Sequence, residues 1–311
     1  MEVIKGLENL SRQFPSAVVT LGNFDGVHKG HQTLLTKTIE VSKKENGTSV
    51  VYTFRPHPQM ALNPQNASKL ILTYDEKLEE ISKFGIDVVI EEPFSREFSS
   101  LEPEDFFHLL LEKLRPIHLV IGYDFAFGKG RRGNIEMLSA ICKSKSISFE
   151  IVPALKMNNE IVSSTRIRNE LKAGNVERAK DLLAQFPYYR GLVQRGDKRG
   201  RGIGYPTANI IIEDKQAPKY GVYVSQVLLG DKVIQSISNF GTRPTFYGTD
   251  ASPILETYIL NETIDLYGYK IEVRLLHFIR EEQEFESATE LKNQISADIE
   301  IAKSWTIAQK S

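Results

Sequence analysis

The chain has 311 residues, 41% of them hydrophobic and 25% charged, so two ordinary globular domains of about 150 residues fit its length. Thirty-nine basic against 40 acidic side chains leave a formal charge of -1, which gives no global field for nucleic acid or an anionic membrane. A single cysteine, Cys142, rules out an intrachain disulfide framework and favours a reducing, cytoplasmic setting. The N-terminus lacks the basic start and apolar core of a signal peptide, and no apolar run reaches the ~18 residues of a membrane span.

In chain order, residues 17–21, 48–54, 87–90, 118–123 and 149–153 read as short, nearly continuous apolar strands. Helical patterns such as 75–84 and 103–114 lie between them, and Thr73 with Glu76 has capping-box spacing. Strand and helix in alternation predict a Rossmann-like parallel sheet wrapped by helices, with ligands at the C-terminal ends of its strands. Beyond Gln185-Phe186-Pro187 the texture changes. Residues 191–194, 207–212, 221–229, 233–238, 255–260 and 270–278 are short strands separated by turn formers, which predicts a small antiparallel β-barrel. A C-terminal helix follows from Ser287, with a second capping-box pair in Ser287 and Glu290 and an apolar face of Leu291, Ile295, Ile299 and Ala302. The expected fold is therefore α/β in residues 1–185, then a barrel with a terminal helix in residues 186–311.

The first strand runs into Gly22-Asn23-Phe24-Asp25-Gly26-Val27-His28-Lys29-Gly30-His31, with a helix starting near Gly30. Glycine lets backbone approach a phosphate closely, and a helix N-terminus offers free N–H groups and a positive dipole end. Gly22, Phe24, Asp25, His28 and His31 thus read as a triphosphate cradle; the bland alternative is a Gly-rich turn with two solvated histidines. Phe54-Arg55-Pro56-His57-Pro58 after the second strand is a rigid non-helical edge suited to a ring system, or simply a turn. Ser163-Ser164-Thr165-Arg166-Ile167-Arg168 opens a helix with hydroxyls and arginines, the latter suited to phosphate; helix capping alone also accounts for the serines.

In the second half no Gly-x-x-x-x-Gly-Lys-Ser/Thr loop occurs. The segment 195–202, rich in Gly and Arg, can form an anion nest, with Gly196, Gly200 and Arg201 as candidate contacts and Gly204 and Pro206 just beyond. Thr207 and Asn209 share one face of a strand and together offer oxygen ligands for Mg²⁺. Glu256, inside an apolar strand, is either a solvent-facing carboxylate or a general base.

The 22–31 segment, with Phe54–Pro58, Gly122–Asn134 and Ser163–Arg168, resembles the bacterial bifunctional riboflavin kinase/FAD synthetase family. Residues 191–209, 239–246, Glu256, 265–268 and 273–285 fall in the order seen in its kinase domains. The resemblance implies an enzyme that phosphorylates riboflavin to FMN and adenylylates FMN to FAD, using ATP with Mg²⁺. It implies that His28, His31, Ser164, Thr165 and Arg168 contact ATP phosphates in the adenylyltransferase. It further implies that Pro56, His57, Pro58, Asp124 and Phe125 line the flavin or adenine region, with Arg55 and Asp124 departing from the usual pattern. In the kinase half it implies that Thr207 and Asn209 hold Mg·ATP and that Glu256 activates the riboflavin hydroxyl. The alternatives are a single-activity FMN adenylyltransferase with an inactive flavin-binding barrel, or a non-enzymatic flavin sensor. Neither nucleic acid nor membrane is an expected partner.

Overall fold

The computed structural model describes residues 1–194, 205–242, 253–262 and 264–308. Contacts divide the chain into two compact units, Met1–Ser164 and Thr165–Ser311.

The first unit is a six-stranded sheet of β1 (Glu2–Lys5), β2 (Val18–Leu21), β3 (Ser49–Arg55), β4 (Val88–Pro93), β5 (His118–Gly122) and β6 (Ser148–Val152), in the order β1-β4-β3-β2-β5-β6. Every pairing is parallel. The central strand β2 is buried along its whole length, as a strand covered on both faces must be. The helices are α1 (Lys29–Lys44), α2 (Pro58–Leu62), α3 (Tyr74–Ser82), α4 (Arg96–Ser99), α5 (Pro103–Leu114) and α6 (Ile135–Ser144). Both halves of the Thr73/Glu76 capping box form, which sets the start of α3. Helix α5 begins with Pro at its first position and buries Phe106, Phe107, Leu110 and Leu114 against Val19, Leu21, Tyr52 and Ile90. Fully burying such a side chain stabilises by roughly 1.5–3 kcal/mol. Strand β1, absent from the sequence reading, is a four-residue edge strand whose side chains are mostly exposed, so it carries no apolar period to detect. A two-stranded ribbon, β7 (Lys156–Met157) and β8 (Glu160–Ile161), completes the unit.

Chain order explains where a ligand fits. From β2 the chain steps to β3 on one side, whereas β5 lies on the other. The C-terminal ends of β2, β3 and β5 therefore meet at a topological switch point, where an open α/β sheet leaves a crevice.

The second unit starts within α7 (Ser164–Ala173), continues through α8 (Val176–Leu183) and forms a six-stranded antiparallel barrel. Its strands are β9 (Tyr188–Leu192), β10 (Thr207–Ile211), β11 (Gly221–Leu229), β12 (Lys232–Thr242), β13 (Pro253–Ile259) and β14 (Lys270–Arg280), in the order β10-β13-β12-β11-β14-β9. The Gln194 N–H donates to the Asn209 carbonyl at 2.9 Å, bringing the two sheet edges together. Strands β11 and β12 are joined by the two-residue turn Gly230-Asp231, with Gly230 at φ 59°. Alternation along the strands sends Tyr189, Ile210, Tyr223, Phe240, Leu255 and Val273 into the barrel. Val222, Val224, Ile237 and Leu276 point outward, where Ile299 and Ala302 of α9 (Ala288–Ala308) cover them. Arg280 on β14 grips Asp298 of α9 through three contacts of 2.8–3.1 Å. At the start of α9, Ser287 accepts from the Glu290 N–H at 3.2 Å, but the Glu290 carboxylate takes the Glu286 N–H instead of closing the expected box.

Candidate active sites

The turn that joins β2 to α1 is held from several sides. The Gly22 N–H donates to the Tyr52 carbonyl at 3.1 Å. Asp25, nearly fully buried, accepts from the Ile71 N–H at 3.0 Å, so its carboxylate anchors the turn. The Ser164 hydroxyl donates to the Asp25 carbonyl at 2.9 Å, tying the start of α7 to the same turn. Phe24, Gly26 and Val27 all have positive φ, at 52°, 84° and 40°. Two of these are not glycine, and such backbone strain clusters at ligand-binding turns. Phe24 is fully buried, with its ring 5.2 Å from that of His31. Phe24 and Asp25 thus hold the turn from within.

His28 is the N-cap of α1, and its Nδ1 accepts from the His31 N–H at 3.2 Å. Nδ1 therefore carries the lone pair and Nε2 the proton, leaving Nε2–H as a donor. The two imidazoles stack at 3.6 Å and 14°. Burial lowers the His28 pKa to about 4. Burial also pushes His31 well below its usual 6.5, helped by His28 and by the Lys77 ammonium. Both rings are thus neutral near pH 7, so each offers one N–H donor rather than a cationic charge. The Nδ1 of His31 is buried without a hydrogen-bond partner among the described residues; such an atom fits a site completed by a ligand. A Cβ on Gly30 would lie 3.2 Å from the His28 ring, so the missing side chain is what lets this ring lie against the helix start.

The other candidates of this half sit at neighbouring strand ends. Pro56, His57 and Pro58 follow β3, and His57 caps α2 by accepting from the Gln59 N–H at 3.2 Å. The His57 N–H donates to the Tyr74 hydroxyl at 2.8 Å. Arg55 lays its guanidinium 4.8 Å from the Tyr74 ring and 3.5 Å from Asp75. Asp124 and Phe125 follow β5; the Asp124 carbonyl accepts from Arg131 at 3.2 Å, and Phe125 stacks on Phe127 at 5.5 Å. All three groups lie at the C-terminal edge of one sheet. Thr165 and Arg168 lie in the first turns of α7, with Arg168 largely buried.

Sequence reasoning missed Lys77. Its ammonium is buried in the first turn of α3 and donates to Thr53 Oγ1 at 3.0 Å and to the Phe54 carbonyl at 3.3 Å. Burial lowers its pKa to about 8, against the opposing pull of Glu91 and Asp25. The available signal was a lysine four residues before the buried Ile81, on the apolar stripe of the helix.

On the barrel, Ala208 and Ile210 belong to the interior cluster, so Thr207 and Asn209 face outward. Strand register sets Asn209 opposite Glu256, and Glu256 opposite Asn239. Three adjacent strands thus align an amide, a carboxylate and an amide in one row, with Glu256 half-buried. The Oδ1 atoms of Asn209 and Asn239 are both buried without a hydrogen-bond partner among the described residues. An unpaired amide oxygen at Asn209, next but one to the Thr207 hydroxyl, is the hard donor type that Mg²⁺ prefers. Asn239 donates through Nδ2 to Glu282 at 3.0 Å. A cleft next to Thr207 is lined by Pro206, Thr207, Thr257, Tyr258, Asp265 and Tyr267, with none of the three row residues in its lining. Gly196, Gly200, Arg201 and Gly204 lie outside the described residues.

The glycine-rich turn at the C-terminal end of a central parallel strand, and the barrel that follows with a carboxylate between two amides, are two separate polar centres of the kind that bind phosphate. The FAD synthetase family model matches residues 10–166 and the riboflavin kinase model residues 183–306. The chain is 37% identical to the bifunctional riboflavin kinase/FMN adenylyltransferase of Buchnera aphidicola from Acyrthosiphon pisum, covering 98% of both chains. It is 37% identical to the protein of that name from Escherichia coli K12 over 96% of each, and 33% to that from Bacillus subtilis over 91% and 90%. A solved structure from Streptococcus pneumoniae, described as a macrolide-efflux protein, superposes with a TM-score of 0.89 at 32% identity, over 98% of this chain and 100% of that one. Among the described residues, no helix is long and apolar enough to cross a membrane. The chain belongs to the bifunctional riboflavin kinase/FMN adenylyltransferase family.

Proposed function

We propose that this chain makes flavin cofactors at two separate centres, riboflavin plus ATP giving FMN on the barrel and FMN plus ATP giving FAD at the 22–31 turn. The observation that carries the reading is that each unit holds its own polar centre with buried nitrogen or oxygen atoms, His31 Nδ1 in one and Asn209 and Asn239 Oδ1 in the other, that have no partner among the described residues.

At the turn, a phosphate oxygen of FMN attacks the α-phosphorus of ATP and pyrophosphate leaves. The residues position the reactants and stabilise charge on phosphate oxygens. His28 Nε2–H, His31 and the N–H groups at the start of α1 not used in capping take the triphosphate, while Ser164, Thr165 and Arg168 supply further donors. Neutral imidazoles suit this role, because their protons stay in place across the physiological range. Pro56, His57, Pro58, Asp124 and Phe125 line the space for the ring systems.

On the barrel, Glu256 accepts the proton of the riboflavin 5′-hydroxyl as its oxygen attacks the γ-phosphorus, and ADP leaves. Thr207 and Asn209 would hold Mg²⁺, which when bound neutralises charge on the transferred phosphoryl group. The chain works in the cytoplasm, where its one cysteine, buried Cys142, stays reduced.

The test separates the two centres in one protein. Glu256→Gln should lower FMN formation by roughly 10²–10⁴-fold and leave FAD formation from supplied FMN intact. His28→Ala with His31→Ala should do the reverse. Chromatographic separation of riboflavin, FMN and FAD over time reads both. Loss of both reactions in a folded single-site variant would refute the two-centre assignment.

A further inference from the structure

Lys77 is out of place by two physical criteria. Its ammonium is buried, which disfavours charge, and it stands in the first turn of α3, where the helix dipole also repels a cation. A position so disfavoured, at a strand end beside a phosphate cradle, marks a functional constraint. Charged groups surround it from several elements. Asp25 on the turn after β2 and Glu91 on β4 attract it, Arg55 on β3 and Lys5 on β1 repel it, and its charge reaches His31 on α1. On its own helix the Tyr74 ring lies 5.6 Å from Nζ, and Asp75 pairs outward with Arg55. The ammonium donates to Thr53 Oγ1 at 3.0 Å, and the Thr53 hydroxyl donates in turn to the Asn23 carbonyl at 3.2 Å. This two-bond relay ends on the backbone between Gly22 and Phe24.

We infer that Lys77 is a positioning residue for adenylyl transfer: through Thr53 it holds the Asn23 carbonyl, and so fixes the strained turn that carries His28 and His31. A charge-assisted donor polarises the threonine hydroxyl and strengthens its bond to Asn23. The inference rests on the reading of the 22–31 turn as the adenylyl-transfer site.

The experiment measures FAD formation from FMN and ATP by the full chain carrying Lys77→Met, Lys77→Arg, Thr53→Val or Lys77→Met with Thr53→Val. Lys77→Met should lower kcat about 10–100-fold, the size expected when a reacting group is misplaced by about an ångström. Thr53→Val should lose a comparable factor, and the double variant no more than Lys77→Met alone, because both cut one relay. With Lys77 titrating near 8, wild-type kcat should fall as pH rises through that value, and Lys77→Arg should retain activity with the alkaline limb moved up by at least one unit. Wild-type kcat in Lys77→Met, losses that multiply in the double variant, or an unmoved limb in Lys77→Arg would each overturn the relay. If Lys77→Met does not fold, as judged by circular dichroism, Thr53→Val decides: wild-type kcat there overturns the relay. FAD formation surviving His28→Ala with His31→Ala would instead sink the underlying reading of the turn.

Discussion

His28 does three things with one ring: it caps α1, stacks on His31 and keeps Nε2–H free as a donor. The capping depends on the ring being neutral, since a protonated Nδ1 could not accept the His31 N–H. The pH dependence follows with a definite sign. In the unfolded chain His28 titrates near 6.5, and in the folded protein near 4. Below 6.5 the unfolded state binds the proton first, so stability drops as pH falls from 6.5 towards 4 and is unaffected by this group above 6.5. The loss amounts to about 3 kcal/mol at pH 4 for His28, with His31 acting in the same direction. Urea unfolding from pH 7.5 to 4.5 should show it, and His28→Asn, which keeps a capping oxygen without the titration, should flatten the slope. At this scale the sequence was informative about histidine chemistry and silent on protonation, because burial is a property of the folded neighbours. Asp25 makes the same point: its position in the turn was legible, but its hydrogen bond to the Ile71 N–H, 46 residues away, was not.

Elements were read well where a period or a cap announces them. The Thr73/Glu76 box starts α3 and Pro103 starts α5, and the barrel strands appear where short β-branched runs alternate with turn formers. Strand β12 runs four residues beyond the expected end, through Asn239 to Thr242. Its Asn-Phe-Gly-Thr extension looks like a turn locally and becomes strand because β11 and β13 pair with it on both sides. The turn after β2 offers a sharp element-level test. Gly26 sits at φ 84°, and a Cβ there would meet Ile71 at 3.1 Å. Gly26→Ala should therefore destabilise by about 1–3 kcal/mol and depress FAD formation, while phosphorylation of riboflavin stays near wild type. Thermal unfolding with both product assays would check it; equal loss of both activities would mean that the turn serves the whole chain.

For the whole molecule, the change of texture at residue 185 and the division of contacts between Ser164 and Thr165 bracket α7 and α8. Val176 of α8 belongs to the barrel's core cluster, and Gly174 just before it lies against Phe278. The proposed ATP contacts Thr165 and Arg168, however, lie on α7. Fragment 1–185 should consequently form FAD from FMN and ATP, and fragment 1–164, which lacks both side chains, should fall at least ~100-fold below it, as loss of charge-assisted phosphate contacts predicts. Equal activities would remove Thr165 and Arg168 from the site. The sequence alone determined the two architectures and the order of the chemistry-bearing segments, and it pointed to the turn residues proposed as the cradle, since apolar period, glycine, proline and capping side chains act over a few neighbouring residues. Only the tertiary structure decided that both imidazoles are neutral, that Lys77 is buried beneath the turn, and that Glu256 stands between Asn209 and Asn239. Those facts depend on desolvation and cross-strand register, which arise when segments tens of residues apart exclude water from one another.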